Sequence, residues 1–527
     1  MDMPLFTFIM RANIFKKRPA LGVFCLLVLV SLVLRLPYWN VPFPNWDESC
    51  FLVVGQDILR GHLPYEQAWC NKPPLGFFYF AALIALFGKN LAAIRAVHSI
   101  YIALSAFIIY LTGRSLHQTV AGLYAALFVI VLATFISAGQ SIIMEHVALL
   151  PLTAIVYLFV KPPTLQRLVA MGVLVGIATL IRTNLGFVLP GLLLCIVCLA
   201  RQPVLKIRIK QAFIVGAAAL LPVAAMGLLY EFRGEFALFL IAMYKMPFAF
   251  VHAEASNLLQ SIRRLQIIFY FAMYGHEGWL IFDACLAGAF FTTITKPNKH
   301  IIQIRMLVLT LFIFISIVAT GAQYSHYLIQ LLPFGSLPAG CFMKRILHEP
   351  KGRYSILLSI VIGASIAILM GKSIVDANPE EAPLYASAID NFSAYVKNTN
   401  GPTTPDSLPF DRAVYQVADY LNAQQVEGKY IFSVDSPLIY YLTGALLPIT
   451  EAHPALLSKI YMLRARNGED YTFDRLIDEI FSKNPVYVVD INGRNSSLED
   501  LIRAKLRESY EKTIVIGWYS IYKRKVQ

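Results

Sequence analysis

The N-terminal part of the chain contains the apolar stretch PALGVFCLLVLVSLVLRLP (residues 19–37), in which Arg35 is the only charged residue. A helix needs about 20 mostly apolar residues to cross a bilayer, so this stretch predicts a membrane span. Its length and the lack of an Ala-x-Ala cleavage site argue against a removed signal peptide. Basic residues concentrate on the cytoplasmic side of spans, so the N-terminus is predicted to be cytoplasmic. The basic residues that precede the stretch are Arg11, Lys16, Lys17 and Arg18.

The whole composition agrees with a membrane protein. Of the 527 residues, 57% are hydrophobic and 15% are charged, with a mean hydropathy of +0.61. A soluble domain has about 25% charged residues, so a disordered protein, a disulfide-stabilised mini-domain and an ordinary soluble enzyme are all excluded. The net charge of +13 does not indicate nucleic-acid binding, because residues 1–375 have a net charge of +17 and residues 376–527 one of −4.

Ten further apolar stretches follow the first one and predict a polytopic helical membrane domain over residues 1–375. Eleven spans place the C-terminus outside the cytoplasm, and the basic residues support this. The segments assigned inside carry 18 Lys and Arg residues, and those assigned outside carry 11 over a greater length. The predicted spans lie near 19–37, 91–111, 119–138, 142–160, 166–181, 185–200, 212–229, 276–294, 303–320, 327–343 and 354–371.

The C-terminal part has a different composition and predicts a soluble, extracytoplasmic α/β domain. Residues 376–410 are polar and resemble a linker, and residues 411–527 alternate helical and strand patterns. Helices are predicted at DRAVYQVADYL and SSLEDLIRAKL, and strands at KYIFSVD, NPVYVVDI and within TIVIGWYSIYKR. We find no glycine-rich nucleotide-binding loop in this domain.

Charged residues of both signs are predicted to meet on the outer side of the helical domain. Charged groups are costly within a bilayer, so this collection favours a site for a charged substrate, although loops are also polar simply because they meet water. The acidic residues are Asp47, Glu48, Asp57, Glu66, Glu145, Glu231, Glu235, Glu254 and Glu277, with Asp283 inside a span. The basic ones are Lys72, Arg95, Arg182, Lys245, Arg263, Arg264 and His326.

The first outer loop, residues 37–90, is the richest in such groups. It contains NWDESCFLVVGQDILRGHLPYEQAWCNKPPLGFFYF (45–80), which predicts a short interfacial helix from Asp47 to Gly61 and another after Pro73-Pro74. A carboxylate at Asp47 could accept a proton from an attacking hydroxyl, and Lys72 could neutralise a phosphate leaving group. The alternatives are a helix N-cap at Asp47 and a lysine that reaches the lipid headgroups.

Two cysteines in the same loop, Cys50 and Cys70, are predicted to lie on the outer side of the membrane, which is oxidising in bacteria. Their positions are equally compatible with a disulfide bridge and with two free thiols.

The order of motifs in this loop resembles the GT-C membrane glycosyltransferases, in particular the protein O-mannosyltransferase-like group with the bacterial aminoarabinose transferases of lipid A. The motifs are Asp-Glu at 47–48, Gly-His-x-Pro-Tyr at 61–65 and Lys-Pro-Pro-Leu at 72–75. Glu145 and GAQYSHYLIQLLP (321–333) resemble further segments of that group. Together these elements cover most of residues 1–345.

The resemblance implies an inverting transfer of a sugar from a polyprenyl-phosphate donor to an outer lipid, glycan or protein acceptor, at the plasma (inner) membrane. It implies that Asp47 is the base, with Glu48 as second candidate, and that Lys72 binds the donor phosphate. Lys245 and Arg182 are further phosphate-binding candidates, and Tyr65, Glu145, His326 and Tyr327 are substrate-binding candidates. Asn71 stands where relatives often have an acid, which leaves a divalent metal ion without a clear ligand. The alternatives are a flippase for a charged lipid and a non-catalytic assembly factor.

Overall fold

A computed structural model describes ten segments of the chain. The N-terminal basic residues, the predicted span at 354–371, most of the predicted linker, and Arg263 and Arg264 lie outside the described residues. The described residues are 19–39, 45–136, 138–199, 204–254, 277–295, 301–320, 324–348, 410–457, 459–491 and 497–525.

The described residues before 349 form helices that are joined by turns and loops. The helices are α1 (Pro19–Arg35), α2 (Trp46–Leu59), α3 (Leu75–Phe87), α4 (Leu91–Ser115), α5 (Thr119–Phe135), α6 (Met144–Phe159), α7 (Leu165–Ile181), α8 (Val188–Cys198), α9 (Leu205–Phe232), α10 (Phe236–Leu240), α11 (Met246–Glu254), α12 (Glu277–Thr295), α13 (Ile301–Ala319) and α14 (Leu332–His348). Short 3₁₀ segments lie at Leu36–Tyr38, Thr183–Phe187 and Ser325–Leu331, and a π-helical segment at Ile241–Lys245 joins α10 to α11.

Among the residues that the structure describes, five helical regions are long and apolar enough to cross a membrane, which indicates a membrane protein. They are Pro19–Tyr38, Leu91–Ser115, Leu205–Phe232, Phe236–Ala253 and Ile301–Ala319. The fourth region has no counterpart among the spans predicted from the sequence. The other predicted spans before residue 349 coincide with shorter helices, so the number of crossings stays a prediction.

Close packing of the helices depends on small residues at their contacts. Gly172 and Gly176 of α7 lie against the backbone carbonyls of Val215 and Ala219 in α9, where an added Cβ would clash. Gly340 of α14 meets the backbone of α5 in the same way. Within a bilayer the association of helices relies on such close backbone contact, since lipid tails are as apolar as leucine side chains.

The C-terminal part folds as an α/β unit around a four-stranded sheet in the order β1-β2-β4-β3. Strands β1 and β2 are parallel, and β4 is antiparallel to both β2 and β3. The elements are α15 (Phe410–Ala423), β1 (Ile431–Ser433), α16 (Pro437–Thr443), α17 (Pro454–Leu457), α18 (Ile460–Asn467), α19 (Phe473–Ser482), β2 (Tyr487–Ile491), α20 (Ser497–Ser509), β3 (Tyr510–Ile516) and β4 (Tyr519–Arg524).

The sequence patterns of this unit are confirmed by the structure. The apolar face predicted for the first helix is buried in α15, at Val414, Val417, Ala418 and Leu421. The stretch TIVIGWYSIYKR forms parts of two strands, and Gly517 provides the positive φ that the tight turn between them requires. Leu476, Ile480, Val488 and Ile502 belong to the buried core that joins the helices to the sheet.

The described residues form two compact units that differ from the division expected from composition. One contains those of Met1–Trp39, Arg95–Met226 and Glu254–Asn391, and the other those of Asn40–Ile94, Gly227–Ala253 and Phe392–Gln527. The outer loop therefore groups with the α/β part. Side chains of the loop donate hydrogen bonds to backbone carbonyls near the end of α16: Gln56 to Tyr441, Arg60 to Gly444 and Lys89 to Leu442.

Candidate functional site

Asp47 lies in the first turn of α2, but it is not the residue that caps the helix. The side chain of Asn45 accepts a hydrogen bond from the backbone N–H of Asp47 at 2.7 Å and thus occupies the N-cap position. Asp47 therefore does not act as the cap, and 18% of its side chain is exposed. The positive end of the helix dipole favours the ionised form of a carboxylate at this position.

The two oxygens of the Asp47 carboxylate have different cationic or polar neighbours. The Lys72 ammonium lies 3.6 Å from Oδ2, and Nε2 of His453 lies 3.1 Å from Oδ1. All three side chains are partly exposed, at 18%, 17% and 14%. This arrangement, the Asp47 cluster, is an acid–base group beside a cation at a surface that a substrate could reach.

The Gly-His-x-Pro-Tyr motif forms the turn that leads from α2 to Lys72. Gly61 adopts a φ of +96°, which glycine tolerates, and Nδ1 of His62 lies 2.8 Å from the Asp57 carboxylate. Tyr65 has a φ of +80°, is fully buried, and donates its hydroxyl to the backbone carbonyl of Lys72 at 2.6 Å. The motif thus holds the backbone of Lys72 in place.

Burial affects the pKa of Asp57, which lies just before this turn. Removal of the Asp57 carboxyl from water raises its pKa, and the contact with His62 partly offsets that rise.

The other residues predicted around Asp47 are buried. Glu48 is 1% exposed, so its carboxylate does not share the accessible position of Asp47. In the structure, Cys50 and Cys70 are free thiols in contact with each other. Burial and the hydrogen bond with Cys70 raise the pKa of Cys50 well above its ordinary value.

A second cluster lies in the other compact unit and joins four predicted site residues. Arg182 forms a buried ion pair with Glu145, and its guanidinium lies 4.2 Å from the centre of the Tyr327 ring. His326 Nε2 is 3.7 Å from the same carboxylate oxygen of Glu145. We call these residues, Glu145, Arg182, His326 and Tyr327, the Glu145 cluster.

Polar residues that were not among the predicted site residues support the Glu145 cluster. Asn184 follows Arg182 and donates to the side chains of Gln330 at 2.7 Å and Ser316 at 3.2 Å. Arg35, at the end of α1, is 2% exposed and donates to the carbonyls of Gly139, Gln140 and Ser141 in the turn that precedes α6. An arginine at the end of a span was a usable sequence signal for such a buried contact.

Two other predicted cations have different surroundings. Lys245 is exposed at the end of the π-helical segment, which packs against α18. Arg95 is 3% exposed and donates to the carbonyls of Tyr38 and Trp39, so it holds the end of the first span.

His453 is the residue at the Asp47 cluster that sequence reasoning missed. It is the only histidine of residues 376–527 and stands directly before Pro454 in a loop. A single histidine in a loop is a weak signal, and no spacing rule connects it with Asp47.

The described residues contain no group of three or more His, Cys, Asp or Glu side chains arranged to hold a metal ion. The divalent ion considered from the sequence therefore has no ligand set among them, and we derive no step through it.

Comparisons with known proteins agree with the motifs. The family model for dolichyl-phosphate-mannose-protein mannosyltransferase matches residues 71–230, which begin at the residue before Lys72. A comparison with curated protein sequences yields no significant match.

The fold is similar to that of ArnT from Cupriavidus metallidurans. Its apo structure superimposes with a TM-score of 0.62 at 14% identity, covering 96% of this chain and 98% of ArnT. The ArnT structure with bound undecaprenyl phosphate gives 0.61 at 14% identity, with coverages of 95% and 97%. The chain is thus a membrane protein with the GT-C glycosyltransferase fold, and its residues 71–230 match the dolichyl-phosphate-mannose-protein mannosyltransferase family.

Proposed function

We propose that this protein is an integral membrane glycosyltransferase that transfers a sugar from a polyprenyl-phosphate donor to an extracytoplasmic lipid, glycan or protein acceptor. The observation that carries this proposal is the Asp47–Lys72 pair, a partly exposed carboxylate and ammonium 3.6 Å apart. The pair lies on motifs that resemble those of GT-C enzymes, and Lys72 lies within the matched family region.

The chemistry requires one base and one cation. In a single displacement, the acceptor oxygen forms a bond to the anomeric carbon while the bond from that carbon to the phosphate oxygen breaks, which inverts the configuration. Asp47 takes the proton of the acceptor, and the electron pair of the broken bond leaves with the phosphate. Lys72 neutralises the charge that develops on the phosphate.

A lipid-linked donor suits the compartment and the fold. Nucleotide sugars are absent outside the cytoplasm, so an activated sugar must arrive there on a lipid. ArnT binds undecaprenyl phosphate within the same fold, and a polyprenyl chain is compatible with the apolar helices of this protein. We therefore assign the donor to the polyprenyl-phosphate class, and Lys245 and Arg182 stay candidates for further phosphate contacts.

The neighbouring residues take supporting roles in this proposal. Tyr65 is a positioning residue, because its hydroxyl is bonded to the Lys72 backbone and its side chain is fully buried. Burial disfavours Glu48 as the base. The Glu145 cluster, which combines an ion pair with a histidine and a tyrosine, is proposed to recognise polar parts of the substrate.

Mass spectrometry of envelope lipids and glycans tests the proposal. A deletion strain should lack a defined sugar mass, wild type should restore it, and Asp47→Asn should lower it by about a thousandfold with normal protein levels. Asp419→Asn, an exposed aspartate of α15, is the matched control and should restore the mass fully.

Three results would contradict the proposal. Full restoration by Asp47→Asn would remove that residue from the chemistry. A deletion strain with an unchanged envelope would argue against transfer altogether. Movement of a lipid-linked sugar across proteoliposomes without transfer would favour the flippase alternative.

A further inference from the structure

We infer that the α/β part of the chain supplies a positioning residue, His453, to the Asp47–Lys72 pair. The inference rests on the proposed function and extends it to a residue that is 406 positions away from Asp47 in the sequence. Residues Asp47, Lys72 and His453 all belong to the same compact unit.

The contact between His453 and Asp47 is a hydrogen bond with a defined direction. An ionised carboxylate only accepts, so Nε2 of His453 donates to Oδ1 of Asp47 over 3.1 Å. The edge of the Trp46 ring faces the imidazole, with ring centres 6.3 Å apart at 83°. These two contacts restrict the imidazole from two sides.

The backbone on both sides of His453 is also held. Trp69 donates its N–H to the carbonyl of Thr450 at 2.5 Å and accepts from the N–H of Ala452 at 3.0 Å, as in a parallel strand pair. Pro454 then begins α17, and the fixed ring of a proline restricts the residue before it. The position of His453 is therefore set relative to the loop that carries Lys72.

A side-chain clamp reinforces this backbone pairing. Arg466 of α18 forms a hydrogen bond with Thr450 and an ion pair with Glu451, and its guanidinium lies 4.6 Å from the centre of the Trp69 ring. Glu451 is buried, so the ion pair is shielded from water. The segment 450–453 is thus attached to the loop by both main-chain and side-chain contacts.

This geometry gives His453 a specific task. With Oδ1 bonded to His453, the Asp47 carboxylate cannot turn both oxygens towards Lys72. Oδ1 is thus held by the histidine, while Oδ2 faces Lys72. Without the histidine, the carboxylate would be able to turn both oxygens towards Lys72, and we expect this to weaken its action as a base.

Two substitutions at His453 distinguish the effect of its hydrogen bond to Asp47 from the effect of its side-chain volume. His453→Gln keeps an N–H donor at the place of Nε2, whereas His453→Leu keeps volume without a donor. In the complemented deletion strain we expect His453→Leu to lower the sugar product about 10- to 100-fold and His453→Gln to stay within about threefold of wild type. Both purified variants should keep the Tm of wild type and its binding of undecaprenyl phosphate in native mass spectrometry.

The controls distinguish positioning from loss of structure. Arg475→Leu, at an exposed arginine of α19, should match wild type in every measurement. Arg466→Leu should lower both product and Tm, because it breaks the clamp itself. Full activity of His453→Leu, or equal loss in the Leu and Gln variants, would overturn the role of His453 while the proposed function stands. Absence of any product with wild type would overturn the proposed function and this inference together.

Discussion

Glu145 is a buried charged residue whose carboxylate has two ionisable neighbours. Its side chain is 1% exposed and interacts with the cationic Arg182 and with His326. Removing one partner of a buried ion pair leaves an uncompensated charge, which costs about 3–5 kcal/mol. Glu145 lies in the first turn of α6, where the helix dipole adds to the stabilisation of its carboxylate.

Glu145→Gln and Arg182→Gln should each lower the free energy of unfolding by about 3 kcal/mol, because each removes the oppositely charged partner of a buried charge. The double variant should lose less than the sum of the two, since no charge then stays unpaired. Thermal unfolding of the purified protein in detergent measures the three losses. Glu231→Gln, at an exposed glutamate near the end of α9, should change little. Additive losses in the double variant would contradict the pairing.

The turn after α2 is the element that places Lys72, and it depends on residues that look unrelated in the sequence. Gly61 adopts the positive φ that the turn needs, and the side chains of Asp57 and His62 are hydrogen-bonded to each other. The hydroxyl of Tyr65 donates a hydrogen bond to the Lys72 carbonyl. Tyr230 adds a hydrogen bond from its hydroxyl to the carbonyl of Pro64 at 3.0 Å. In the structure, the Gly-His-x-Pro-Tyr motif thus stabilises the backbone around Lys72.

The raised pKa of Asp57 predicts a pH dependence of stability. Folding raises this pKa above its ordinary value of 3.8, so the folded state holds the proton more tightly. The contribution is therefore full below about pH 4 and is lost as pH rises through the raised pKa. Asp57→Asn does not titrate, so its Tm relative to wild type should rise by roughly 1–3 °C from pH 4 to pH 7.

Thermal unfolding in detergent across that range checks this prediction. Asp419→Asn, at an exposed position, should show a constant difference from wild type. A constant difference for Asp57→Asn as well would show that burial of the carboxyl does not affect its titration.

At the scale of the whole molecule, the distribution of basic residues predicts its orientation. The net charge of +17 before residue 376 and the excess of basic residues in the segments assigned inside indicate a cytoplasmic N-terminus. Eleven crossings then place the C-terminus outside. The apolar region Phe236–Ala253 is relevant here, because one additional crossing would reverse the side of the α/β part.

Reporter fusions test this orientation. Alkaline phosphatase fused after Gln527 should be active, because that enzyme folds only outside the cytoplasm, and green fluorescent protein at the same place should be dark. A fusion of alkaline phosphatase after Gln202, in a segment assigned inside, provides the inactive control. An active fusion at Gln202 or a fluorescent one at Gln527 would show a different number of crossings.

Most helices and strands could be predicted, since their signals are local. The apolar run of α1, the buried face of α15 and the two strands within TIVIGWYSIYKR are visible within a few neighbouring residues. The sequence interpretation assigned no span to the apolar region Phe236–Ala253, which Lys245 and His252 interrupt. The residues of the Glu145 cluster were named individually, but their ion pair was not foreseen.

From the sequence alone it could be predicted that this is a membrane protein with an α/β C-terminal part, and Asp47 and Lys72 could be proposed as site residues. Hydropathy and motif order are properties of short segments, so no fold is needed to recognise them. Only the tertiary structure decided that Asn45 caps α2, that Tyr65 holds the Lys72 backbone and that His453 contacts Asp47. Such contacts depend on which distant parts of the chain pack together, and this cannot be read from the type of a residue or from its neighbours in the sequence.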